Sequence, residues 1–381
     1  MLEFILPPGE PLLLCPVPSD NQETGKTGHE FQYSDYLLIG DSHSQQLNIT
    51  IDEVISKLDE IRARKILLQL PDGLKPHVFD YFSRLSEKFS VIVSSEPFYG
   101  ACDISTMDVY KDVDCIVQLG HSEIPNIKYP KPVIFMEYRV QREIEIDDQV
   151  FQTLKEKGHK KIGLLCSVQY VDQMHQVKGI LDRMGFETHI GRQDARMKHP
   201  GQVLGCNFSS AHSISTNVDC YVVVSTGKFH AIGAQLASDR EVFILDMNER
   251  KLIPIKDETD RFLRRRYGKI SRARDAQKIC VVTDTKIGQY RIRLAETIME
   301  QAKSLGMQSI LLTANDIRPS DYENMRCDAV VFTGCPRVSI DEQDKFTMPI
   351  LTPPEFQQLF GFKKTSKYIM DEIVAVDRLN S

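Results

Sequence analysis

From residue 65 onward the chain alternates short apolar runs with longer stretches whose apolar residues recur every three or four positions. It does so three times. The opening runs are KILLQLPDG (65–73), KIGLLCSVQ (161–169) and KICVVTDT (278–285), each led by a lysine. Segments of helical period follow: HVFDYFSRLSEKF, VDQMHQVKGILDRMG and YRIRLAETIMEQAKSLG. A second apolar run comes next, SVIVSS (90–95), ETHIGR (187–192) and QSILLTA (308–314). The third opens on an aspartate and closes in a glycine-containing loop: DCIVQLGH (114–121), DCYVVVSTGKFH (219–230) and DAVVFTGCP (328–336). A fourth ends each unit, PVIFMEY (132–138), EVFILDM (241–247) and MPILTP (348–353). Short β-branched runs between amphipathic stretches predict parallel strands covered by helices. The expected fold class is therefore α/β. Three similar domains, each a small, mostly parallel sheet flanked by helices, would be arranged around a pseudo-three-fold centre. Their expected boundaries are 46–148, 149–258 and 259–381. Residues 1–45 are expected to be a poorly ordered extension, because 17–45 are polar and rich in Gly, Ser and Asp.

Composition narrows the function classes. At 381 residues the chain exceeds one ordinary core and suits two or three domains. It is 41% hydrophobic and 26% charged, as a soluble globular protein is, and its net charge of −6 argues against a general nucleic-acid binder. No apolar run reaches the length of a membrane span. The start, MLEFILPPGEPLLLCPVP, lacks a basic region, carries Glu3 and is broken by prolines, so it is a poor signal peptide. A cytoplasmic location is expected.

The nine cysteines then sharpen the picture. In a reducing compartment they are not expected to form a disulfide framework. Cys115, Cys166, Cys220 and Cys280 lie inside apolar runs, where a free cysteine acts as a small buried hydrophobe. Cys15 is in the extension and Cys327 just precedes a strand. Cys102, Cys206 and Cys335 stand apart, each after a strand and each behind a small residue (Gly100-Ala101, Gly205 and Gly334). Loops at the carboxyl ends of parallel strands carry the working residues of such folds. Taken singly, each is an ordinary loop cysteine; taken together, three α/β units could bring one thiolate apiece to a common centre. Small residues there let backbone approach a bulky inorganic ligand. Soft thiolates select iron–sulfur clusters, zinc or Cu(I). No C-x-x-C pair is present, which disfavours structural zinc with its four closed ligands. The C-x3-C-x2-C loop of common radical enzymes is absent too.

Seven stretches carry a family resemblance: LPDGLKPH (70–77), FYGACDI (98–104), LGHSEIPN (119–126), GQVLGCN (201–207), STGKFHAIG (225–233), DTKIGQYR (284–291) and TGCPRVSIDE (333–342). In content and order they resemble the archaeal-type 2-(3-amino-3-carboxypropyl)histidine synthases, which open diphthamide biosynthesis. The resemblance implies a homodimer in which Cys102, Cys206 and Cys335 hold a 4Fe-4S cluster, with S-adenosylmethionine at the open iron. It implies that an electron donor reduces the cluster and that the sulfonium bond to the methionine γ-carbon is broken. The resulting 3-amino-3-carboxypropyl radical adds to carbon 2 of a histidine imidazole on elongation factor 2, leaving methylthioadenosine.

Around the cysteines, Ser225, Thr226, Gly227, Phe229 and His230 follow a strand and precede a helix-like segment. Free amides at such a helix start can hold a carboxylate, so this loop is a candidate for the methionyl part of the cofactor; an ordinary βα turn is the alternative. His230 and Arg337 are the catalytic candidates. Gln289, beside Gly288 at the opening of a helix, is a candidate for orienting the cofactor. His121 occupies a post-strand position like that of His230. Asp72-Gly73 reads as a turn. The run RFLRRRYGKISRAR (261–274) holds seven basic residues and reads as a solvated helix face, with docking of elongation factor 2 or nearby RNA as the alternative. Two other functions compete with the synthase reading: a quinolinate synthase-like dehydratase and a non-catalytic partner subunit.

Overall fold

The computed structural model describes residues 51–374 apart from 97, 105–107 and 141–144; the expected extension and Cys15 lie outside the described residues. The repeat is realised as three sheets. The first holds β1 (Lys65–Gln69), β2 (Ser90–Val93), β3 (Cys115–Gly120) and β4 (Val133–Glu137) in the order β2-β1-β3-β4. The second holds β5 (Lys161–Cys166), β6 (Glu187–Ile190), β7 (Cys220–Ser225), β8 (Glu241–Asp246) and β9 (Lys251–Pro254) in the order β6-β5-β7-β8-β9. The third holds β10 (Lys278–Asp284), β11 (Gln308–Ala314), β12 (Ala329–Phe332) and β13 (Ile350–Leu351) in the order β11-β10-β12-β13. The first four strands of every sheet share one order and pair in parallel. Among the described strands only β9 is antiparallel, against β8. It was not anticipated, because KLIP follows EVFILD too closely to read as a separate run.

Burial follows sheet position. Strands β3, β7 and β12 are interior and buried throughout, whereas the edge strand β11 mixes exposed and half-buried residues. Helices Val78–Ser86, Val171–Arg183 and Ile292–Ser304 supply the crossovers the helical-period segments predicted. Residues such as Ile66, Leu68, Val117 and Met136 form a core for the first unit, with no exposure above 1%. Each such side chain contributes about 1.5–3 kcal/mol on burial. The second and third units instead share one continuous core, with Val223, Ile244, Val281 and Val331 in the same cluster.

The aspartate that opens each third run has one structural task, repeated three times. Asp114 accepts the backbone N–H groups of Arg64 and Lys65 at 2.8 and 2.9 Å. Asp219 accepts those of Lys160 and Lys161 at the same distances. Asp328 accepts those of Gln277 and Lys278 at 3.0 and 2.8 Å. The carboxylate thus fastens the first strand of each unit to the third where both begin.

Two expectations are corrected. The basic run lies largely on helix Lys256–Ser271, but Arg266 is fully buried rather than solvated. Its guanidinium pairs with Glu355, reaches Gln343 at 3.0 Å and donates to the Ile350 carbonyl at 2.9 Å. It is a core ion pair, so it belongs to folding and not to docking; Arg264 and Arg265 remain exposed. The expected junction after residue 258 falls inside this helix. The second correction concerns Cys280, which forms a disulfide with Cys327 across a Cα separation of 5.9 Å instead of standing as a lone buried thiol. Cys280 lies in β10 and Cys327 just before β12, the strand hydrogen-bonded to β10, so the pairing of these strands places the two cysteines side by side. Among the described residues, no helix is long and apolar enough to cross a membrane.

Candidate functional site

The three singled-out cysteines come from the carboxyl ends of the sheets. Cys102 follows β2, Cys206 follows β6 and Cys335 follows β12. The loop after β10 joins two of them through one carboxamide. Gln289 Nε2 donates to Cys102 Sγ at 3.4 Å, while the Cys335 backbone N–H donates to Gln289 Oε1 at 3.1 Å. The same loop runs beside the Cys102 segment. The Ile287 N–H donates to the Ile104 carbonyl at 3.0 Å, and that of Gly288 to the Cys102 carbonyl at 3.3 Å. A Cβ on Gly288 would lie 2.4 Å from the Cys102 Cβ, so only glycine permits this approach. Gln289 does not sit on the helix as the sequence suggested, since helix Ile292–Ser304 starts three residues later.

Cys206 enters the same neighbourhood through two contacts. A Cβ on the preceding Gly205 would meet the Phe229 ring at 2.6 Å and Arg337 Cδ at 2.9 Å. Close packing of chain on chain therefore demands the small residue here, a different reason from ligand approach. The C-terminal segment returns to the other side: the Ile373 N–H donates to the Cys206 carbonyl at 2.7 Å. Asn207 Nδ2 donates to the Ile373 carbonyl at 3.0 Å, and the Phe208 N–H to the Glu372 carboxylate at 2.8 Å.

The three thiols act on one another electrostatically. Burial, followed by the charge of Cys206, pushes Cys102 up to about 12. Burial also raises Cys206, and it raises Cys335 far above the usual thiol range with both other cysteines adding to the effect. Such thiols stay protonated until a cation compensates them; metal binding to thiolates releases those protons. The donor set is three soft sulfurs. Among the described residues, no three His, Cys, Asp or Glu side chains converge tightly enough to hold a single metal ion. Three soft sulfurs suit a polynuclear group, in which each thiolate binds its own iron. The donor set, three free cysteines, fits the chemistry of an iron–sulfur cluster.

The candidate loop at 225–230 forms the wall beside Cys206. Ser225 ends β7 and is buried, Gly227 takes the left-handed conformation with φ 73°, and helix Phe229–Ala237 begins after Lys228. The Arg337 guanidinium lies 3.0 Å over the Phe229 ring centroid, within the range of a cation–π contact, and pairs with Asp341 one turn on. Burial and then the Arg337 charge push the His230 imidazole down to about 3, so it is neutral at physiological pH. Burial likewise lowers His121 to about 4, and its Nδ1 is buried without a partner. Asp72 and Gly73 open a short 3-10 helix where Asp72 pairs with Lys75 at 2.7 Å, in keeping with the turn reading.

Sequence reasoning missed three groups. Lys286 pairs with the buried Asp103 beside Cys102 at 3.0 Å. Arg291 pairs with Asp371 at 2.6 Å and donates to the Gly334 carbonyl at 3.0 Å, fixing the Cys335 turn. Arg196 is 5% exposed and donates to the Gly288 carbonyl at 3.1 Å. Lys286 and Arg291 sit in the stretch DTKIGQYR, which could have flagged them; nothing in RQDARMKHP marks Arg196.

Comparison with known proteins places this architecture among relatives. The family described as "diphthamide synthesis protein" matches residues 70–369. The 2-(3-amino-3-carboxypropyl)histidine synthase of Pyrococcus horikoshii is 32% identical over 86% of this chain and 94% of its own. That of Methanocaldococcus jannaschii is 25% identical over 86% and 93%. Human subunit 1 of the same synthase is 24% identical over 81% and 70%. The crystal structure of Dph2 from Pyrococcus horikoshii with a 4Fe-4S cluster superimposes with a TM-score of 0.76 at 31% identity, covering 86% of this chain and 95% of that one.

Proposed function

Because this chain belongs to the diphthamide synthesis family, we propose that it transfers the 3-amino-3-carboxypropyl group of S-adenosylmethionine to carbon 2 of a histidine imidazole on elongation factor 2. One observation carries the reading beyond likeness. The Gln289 carboxamide reaches both Cys102 and Cys335, and all three cysteines stand within electrostatic reach of one another. Cys102, Cys206 and Cys335 would hold a 4Fe-4S cluster, which supplies a low-potential electron and an open iron when bound.

The remaining residues define what happens around it. Gln289 fixes the spacing of the Cys102 and Cys335 loops. Ser225, Thr226 and Gly227 present backbone amides at the start of helix Phe229–Ala237, where a carboxylate is favoured. Phe229 and Arg337 form an apolar wall with a cation laid on it, suited to the amino-acid end of the cosubstrate. Neutral His230 can exchange hydrogen bonds there without adding charge. Enclosure by three units limits access of water, which a reactive carbon radical requires. Further assignments go with this reading: a homodimer, an external electron donor and a cytoplasmic location. All three cysteines are present, which favours a catalytic chain over a supporting subunit, and membership of the family removes the dehydratase reading.

The test is anaerobic. The protein is reconstituted with iron and sulfide, reduced with dithionite, and mixed with S-adenosylmethionine and elongation factor 2. Methylthioadenosine together with a histidine heavier by one aminocarboxypropyl group is the expected result. Release of 5′-deoxyadenosine, or no cleavage by a loaded protein, overturns the proposal.

A further inference from the structure

Arg196 lies between the three units. Its own loop joins β6 to Cys206 in the second. The backbone beside it is tied to the first, because the Asn126 N–H donates to the Ala195 carbonyl at 3.0 Å. Its side chain reaches the third, through Nη2 to the Gly288 carbonyl at 3.1 Å. Gly288 in turn packs directly on Cys102. Within the chain, Asp194 Oδ1 accepts the Arg196 N–H at 2.8 Å and so sets the turn that aims the side chain inward.

The guanidinium is under-satisfied. It is 5% exposed, yet its Nε is buried without a partner. The other cations of the site have carboxylates, Lys286 with Asp103 and Arg291 with Asp371. Among the described residues, no carboxylate is paired with Arg196. A buried unmet donor is costly, and an uncompensated buried charge is costlier still. Such a cost is retained where something else supplies the counter-charge. The groups in reach are sulfurs: Cys102 and Cys206 both feel the Arg196 charge.

We propose that Arg196 is a positioning residue whose buried cation is the counter-charge for the Cys102 and Cys206 thiolates and the cluster they hold, and that it sets the reduction potential of that cluster. This rests on the reading that the three cysteines bind an iron–sulfur cluster. A fixed cation beside a cluster favours its reduced, more negative state, so it raises the potential. Removing the charge makes the cluster harder to reduce; changing the shape while keeping the charge does not.

The experiment uses the full chain as wild type, R196Q and R196K, reconstituted anaerobically. Iron and sulfide are measured per chain, the thermal midpoint is recorded, and the midpoint potential is read by titration followed through visible absorbance and electron paramagnetic resonance. In R196Q the reduced-to-oxidised ratio at the wild-type midpoint falls at least tenfold, equal to about 59 mV for one electron. In R196K it stays within about threefold. A loaded and folded R196Q with the wild-type potential overturns the proposal. If R196Q loses its fold, R196K decides: a tenfold fall there overturns the role of charge, and retention supports it. A wild-type chain that takes up no iron removes the cluster reading itself and this inference with it, an outcome distinct from an unchanged potential in a loaded variant.

Discussion

The two ends of the three sheets follow different rules. At the amino ends one solution is used three times, an aspartate taking two backbone N–H groups of the first strand, through Asp114, Asp219 and Asp328. At the carboxyl ends nothing repeats so closely. Cysteine follows the second strand in two units and the third strand in the other. Among the described residues, only the third unit sends its first-strand loop across to another unit's cysteine, through Gly288 and Gln289. Sheet assembly needs the same bonds in every unit, whereas a shared centre needs each unit to contribute something different. Repetition marks folding here and its breakdown marks chemistry.

The largest test sets cysteines at the two ends against each other. C102A, C206A and C335A should each lose cluster absorbance, iron and aminocarboxypropyl transfer down to background. C115A, at the start of β3 and buried, should keep all three. Iron and sulfide analysis beside product mass spectrometry decides it; iron retained at the wild-type level by C335A would break the comparison.

Next in size is a structural support at the carboxyl end of β13. E355Q leaves the fully buried Arg266 with no ionised partner. Breaking a buried pair in this way costs about 3–5 kcal/mol. Urea unfolding should register that loss while the folded fraction still loads iron, which separates holding the sheet end from holding the cluster.

Smaller again is a pair of glycines that follow first strands. A Cβ on Gly288 would strike the Cys102 backbone and Cβ at 2.5 and 2.4 Å, whereas one on Gly73 meets nothing within 4 Å. G288A should therefore weaken iron binding by about 10–100-fold, as disturbed ligand support generally does. G73A should leave it unchanged. Chelator competition measures both, and equal affinities would show that the approach of the two loops is not what holds Cys102 in place.

What the sequence could and could not reveal follows the same division. The strands and crossover helices were legible because periodicity is local, and Cys102, Cys206 and Cys335 because they sit off the apolar pattern. Arg196 and Arg266 were not legible. A cation in a polar loop or on a basic helix face reads as surface until its partners arrive, and Glu355 lies 89 residues from Arg266. The return of Ile373 to Cys206 has the same character, being a backbone bond between residues that share no pattern. The Cys280–Cys327 bond joins a strand to the segment before its neighbouring strand, 47 residues on, which composition does not encode.

The smallest effect belongs to the repeated aspartates and has a definite sign with pH. The backbone N–H groups of Lys160 and Lys161 hold the Asp219 carboxyl below its ordinary value. Its folded pKa is thus lower than its unfolded one, so the unfolded chain takes up the proton first as pH falls. The stabilisation is complete above the unfolded value near 4 and is lost as pH drops through the folded one. The group is largely exposed, so solvent screening keeps the contribution to about 1 kcal/mol at neutral pH. D219N should therefore lower the urea midpoint slightly at pH 7, and the gap from wild type should close steadily below about pH 4. Cluster content should not change at any pH where both proteins are folded. A gap that widens in acid would mean that the carboxylate is not the acceptor that fastens β5 to β7, and the equivalence of the three amino ends would fail with it.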